Sequence, residues 1–87
     1  MTFTVLWSDA AERELTSIWL ASDDRASLTR AANELDRRLQ NDPQNEGESR
    51  DAGRRIVLVP PLAVTVEVQP NDRIVRVIHV QEFRQLR

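Results

Sequence analysis

The chain has no cysteine, no lysine and no tyrosine, and only one histidine and two glycines in 87 residues. Without cysteine there is neither a disulfide framework nor a thiolate metal site. A lone histidine, His79, cannot supply a structural zinc set, so no metal and no cofactor are expected. No apolar run approaches the ~20 residues that span a bilayer, which removes a membrane role. The opening MTFTVLWSDAAERE lacks the basic start and long apolar core of an export signal, so a cytoplasmic protein is the expectation. The length suits one domain over residues 1–87. A chain this short buries roughly 60–65% of its unfolded surface, which supports one thin core and places any site in a surface groove.

What the chain does have is arginine. All 12 basic residues are Arg, set against 14 acids for a net charge of −2. The balance is uneven: residues 1–48 carry five Arg against ten acids, and residues 49–87 carry seven against four. A guanidinium fork suits phosphate or carboxylate. The basic C-terminal half therefore suits nucleic acid or an acidic partner. The overall acidity argues against tight non-specific nucleic-acid binding.

Residues 3–7, FTVLW, alternate and are rich in strand formers, with Phe3, Val5 and Trp7 on one face. Ser8 or Asp9 caps the helix that follows, and Asp9 with Glu12 has capping-box spacing. Ala11, Leu15, Ile18 and Trp19 give that helix a buried stripe. After the break ASDD, a second helix presents Leu28, Ala32, Leu35 and Leu39, and ends near Pro43. Residues 41–53 are polar, hold both glycines and make a long connection, of a kind usually functional or mobile. Strands at 54–59 and 62–68 meet at a Pro60-Pro61 corner. In the second of these, Leu62, Val64, Val66 and Val68 should meet the helices, while Ala63, Thr65 and Glu67 face away. Gln69-Pro70-Asn71-Asp72 reads as a turn with proline in its second position. The last strand, 73–80, is apolar on both faces, which fits an interior strand or one with a bulge. The expected fold is a two-layer α+β domain of order β-α-α-β-β-β. Its four-stranded, antiparallel-rich sheet carries a helix hairpin on one face and leaves the other open.

Five side chains on these elements are candidates for chemistry. Arg54 and Arg55 point to opposite faces, so only one of them can join a given site. Each is a candidate for phosphate or partner binding, or a charged guard of an edge strand. Glu67 lies on the open side and is a candidate for partner binding or for a catalytic base, though a cross-strand ion pair with Arg55 or an arginine of the last strand is the simplest role. His79 is the natural acid/base group, because its charge changes near neutrality. Strand alternation puts Arg73 on the same face as His79 and Arg76 on the other. Both tryptophans sit at core-type positions.

Together, VLWSDAAERELTSIW, PLAVTVEVQPNDRIVRVIHV and the final QEFR resemble the RelE/ParE toxin superfamily of type II toxin–antitoxin modules, over nearly the whole chain. The resemblance implies a cognate antitoxin as partner. It also implies an effect on translation, through messenger RNA cleaved on the ribosome, or on DNA gyrase. The RNA-cleaving branch is a metal-independent endoribonuclease in which a ribose 2′-hydroxyl attacks the adjacent phosphate. That reaction needs proton-transfer groups and cations. The resemblance adds Arg84 to His79 and Arg73 as catalytic candidates. It also places Ala63 where RNA-cleaving members often carry an arginine, and Thr65 or Val66 where they often carry an aromatic residue. The alternative is a non-catalytic, non-toxic protein-binding module on the same scaffold.

Overall fold

A computed structural model describes residues 2–83 of the chain. The elements run β1 (Thr4–Trp7), α1 (Asp9–Ala21), α2 (Arg25–Asn41), β2 (Glu48–Ser49), β3 (Arg54–Val59), β4 (Leu62–Gln69) and β5 (Ile74–Glu82). Short 3₁₀ turns at Pro43–Asn45 and Asp51–Gly53 flank β2. The sheet has five strands in the order β1-β5-β4-β3-β2. Only the β1–β5 pair is parallel; the other three pairs are antiparallel. The two-layer α+β class and the helix hairpin are as expected, and the strand count is one higher. The extra strand comes from the polar connection, which is folded onto β3. Gly47 makes this approach feasible: its φ is +62°, and a Cβ there would lie 2.0 Å from the Ile56 carbonyl oxygen.

Ser8 is the cap of α1, its hydroxyl accepting from the Ala11 N–H at 3.0 Å. With Ser8 as the cap, the third helical position is Ala11, so the Asp9–Glu12 capping box does not form. Asp24 caps α2 by accepting from the Ser27 N–H. α1 packs beside β5, while α2 packs on β1, β3 and β4. The core joins Ala11, Leu28, Ala31, Leu35 and Leu39 to Val57, Val59, Leu62, Val64, Val66, Val75, Val77 and Val80. The inner stripe of α2 uses Ala31, with Ala32 only partly buried. Each fully buried leucine or valine contributes about 1.5–3 kcal/mol of transfer free energy. Trp7 packs against the core and its indole N–H donates to Asp36 at 3.2 Å. Trp19 does not: it remains 37% exposed at the end of α1, with the Arg25 guanidinium 5.8 Å from its ring centre. Arg25 also donates to the carbonyls of Trp19 and Leu20, occupying acceptors the helix end leaves open.

Two local details reset the last hairpin. The turn closes from the Arg73 N–H to the Pro70 carbonyl, so proline is its first residue and Arg73 its last. Arg73 adopts φ 53° and lies outside the strand. Further on, Val66 pairs with Val77 but Thr65 pairs with His79. The inserted Ile78 is a β-bulge, which inverts the alternation beyond it. β5 is thus both interior and bulged.

Candidate functional site: the open face of the sheet

The uncovered face is organised in cross-strand rows. Leu6, Arg76, Glu67 and Arg54 lie in register across β1, β5, β4 and β3. The next row holds His79, Thr65 and Ile56, and the one after it Gln81, Ala63 and Leu58. Glu67 therefore stands between two arginines. Its Oε2 is 3.8 Å from Arg54 Nε, and its Oε1 accepts from the Gln69 amide at 3.2 Å. Arg76 makes no ion pair among the described residues. One carboxylate set between two guanidinium groups leaves a net positive row, suited to an anion crossing the strands.

The bulge decides which cations accompany His79. Val75, Val77 and Val80 are buried, so Arg76 and His79 both point away from the core. Simple alternation would have paired His79 with Arg73. That expectation is corrected: Arg73 is a turn residue roughly 15–20 Å from His79 along the strand, at ~3.3 Å per residue. Its backbone work is clear, since its carbonyl accepts from the Thr4 N–H at 2.8 Å and ties the start of β1 to β5.

The neighbouring arginines Arg54 and Arg55 do face opposite ways. Arg54 joins the open-face row. Arg55 reaches back to the polar connection, donating from Nε to the Glu46 carbonyl at 2.5 Å and from Nη2 to the Gly47 carbonyl at 3.2 Å. Its guanidinium is engaged in holding the segment that carries β2, which takes it away from the row. The pairing of Glu67 is thus with Arg54. Arg84 lies outside the described residues.

His79 sits at the margin of the open face and meets a group the sequence reading overlooked. Its Nδ1 is 2.7 Å from Oε2 of Glu14, on α1, and its Nε2 is 3.2 Å from the Gln81 carboxamide nitrogen. Glu14 follows Ala11 by three residues and so falls on the inward side of α1 beside Leu15. An acid at that spacing in an otherwise apolar stripe was the available signal. Among the described residues no cluster of His, Asp and Glu could hold a metal ion. No helix there is long and apolar enough to cross a membrane.

No family model matches the sequence, and no curated protein matches it. Solved structures do. A chain of the toxin–antitoxin complex RelBE2 from Mycobacterium tuberculosis superposes with a TM-score of 0.74 at 16% identity, covering 94% of this chain and 99% of that one. The archaeal RelE–RelB complex from Pyrococcus horikoshii OT3 gives 0.67 at 15% identity, over 99% and 100% of the two chains. The chromosomal ParDE toxin–antitoxin system of P. aeruginosa gives 0.65 at 14% identity, over 95% and 98%. The chain thus shares a two-layer α+β fold with chains of these toxin–antitoxin complexes. More narrowly, its fold is that of the RelE/ParE toxins.

Proposed function

We propose that the protein is the toxin of a type II toxin–antitoxin module, neutralised in the cytoplasm by a cognate antitoxin and acting on translation by cleaving messenger RNA. The observation that carries the RNA reading is the shared open face of His79, Arg76 and Arg54. Transfer of the 2′-hydroxyl proton needs a group titrating near neutrality, and the crowded phosphate needs cations. His79 supplies an imidazole that can take or give a proton, and Arg76 with Arg54 supply the cations. A DNA gyrase target would need neither group in this arrangement.

Induced expression of residues 1–87 in a bacterial host tests the reading. The expected result is growth arrest with new 5′ ends in messenger RNA, rescued by co-expression of a small partner encoded beside the gene. Arg76→Ala and His79→Ala variants should grow normally at equal soluble expression. Normal growth of the wild-type chain at high soluble expression would overturn the toxin assignment. Arrest without RNA cleavage, accompanied by loss of DNA supercoiling, would redirect it to gyrase.

The same face favours one other reading. Glu67 neutralises part of the arginine row, and Ala63 brings no cation where RNA-cleaving relatives often carry one. A protein-binding module without toxicity would show this composition. It predicts stable co-purification with a partner, no growth effect and no cleavage.

A further inference from the structure

The Glu14–His79 contact is built differently from an ordinary surface ion pair. β1 ends at Trp7, and the Ser8 N–H donates to the Val77 carbonyl at 2.9 Å. Beyond that point β5 runs on without a strand on this side. The Val80 N–H would then need another acceptor, and Oε1 of Glu14 provides it at 2.9 Å. One carboxylate oxygen is therefore fixed by backbone, independently of the histidine. The other oxygen is held 2.7 Å from His79 Nδ1.

We propose that Glu14 is a positioning residue that holds His79 with its proton on Nδ1, so that Nε2 is the ring atom that exchanges protons at the open face. A carboxylate has only acceptors to offer, so the ring nitrogen facing it must carry hydrogen. A neutral imidazole has one N–H, and placing it on Nδ1 leaves the lone pair on Nε2. Gln81 completes the arrangement, because its amide nitrogen, 3.2 Å away, donates to that lone pair. The logic is that of a carboxylate orienting a catalytic imidazole, here with the carboxylate itself oriented by a strand N–H. This inference rests on the assignment of His79 as the acid/base group, but the tautomer exists whether or not the protein cleaves RNA.

His79 is the only histidine, so its ring nitrogens are read without ambiguity in ¹⁵N NMR of the purified chain. In its neutral form the wild-type ring should show a protonated Nδ1 and an unprotonated Nε2. In Glu14→Gln, the amide oxygen can still accept from Val80 while the amide nitrogen now faces Nδ1. The pattern should reverse, with slow exchange of the Val80 amide retained. Gln81→Ala should keep the wild-type pattern, and it tests the assignment even if Glu14→Gln folds poorly. A wild-type ring protonated on Nε2, or a folded Glu14→Gln ring unchanged from wild type, would overturn the proposal. So would a pattern that follows Gln81 instead of Glu14. Where the wild-type chain cleaves RNA, Glu14→Gln should lower the rate at least ~10-fold, part of the roughly 10²–10⁴-fold that general acid–base catalysis contributes in full. An inactive wild-type chain with the expected tautomer would sink the nuclease reading and leave this one standing.

Discussion

The two faces of the sheet differ in kind. On the covered face, β4 presents Leu62, Val64 and Val66, all at 1% exposure or less, against leucines of α2. On the open face the same strand presents Ala63, Thr65, Glu67 and Gln69, all half-buried, the first three in register with neighbours on both sides and Gln69 with Ile74 alone. Burial dictates the first set, because a polar atom there would lose water without gaining a partner. The second set is constrained only by cross-strand pairing, worth about 0.2–1 kcal/mol a pair. Stability thus resides on one face, while the other is free to carry charge for binding. Arg54 and Arg55 condense the contrast into two adjacent residues, one in the open row and one holding the connection at the sheet edge.

Substitutions graded across that divide sharpen it. The largest loss should come from Leu35→Ala, which empties a fully buried position of α2 and should cost about 2–5 kcal/mol in urea unfolding. Gly47→Ala should follow. Its left-handed backbone alone costs a non-glycine residue about 1–3 kcal/mol. The clash with the Ile56 carbonyl should also detach β2, visible as faster amide exchange at Glu48 and Ser49. Next comes the arginine pair. Arg55→Ala removes charge-assisted bonds to two carbonyls and should cost about 1.5–3 kcal/mol. Arg54→Ala, which loses only a 3.8 Å exposed ion pair, should cost at most about 1 kcal/mol. Equal costs for the two would erase the distinction between the faces.

The smallest effect concerns an exposed pair on α2. Hydrogen bonds from Arg37, then Arg38, lower the Glu34 carboxyl from its ordinary 4.5 to about 2. Because the folded-state value is the lower one, the stabilisation is complete above about 4.5 and is lost as pH falls through about 2. Glu34→Gln should therefore be slightly destabilising near neutrality. The difference should close between those two pH values, and shrink in high salt.

Much of this architecture is legible in the order of residues. Alternation and helical spacing locate β1, both helices and the β3–β4 hairpin, since each must turn one apolar face inward whatever its neighbours do. The opposed directions of Arg54 and Arg55 follow from the same period. Other features depend on what the chain meets at a distance. Nothing local in NDPQNEGESRDAG announces a strand, because β2 exists only through its pairing with β3. The Ile78 bulge breaks the alternation at a point no propensity marks, and with it moves His79 from the company of Arg73 to that of Arg76. Trp19 has the spacing of a core residue, but α1 packs mainly beside β5 and leaves this residue partly exposed. Glu14 meets His79 across 65 positions of sequence because β1 stops where a strand N–H still needs an acceptor. Periodicity is a property of neighbouring residues and survives in the sequence. Register, bulges and the fate of unpaired backbone groups are set by separate segments coming together, and so they arise only in the folded chain.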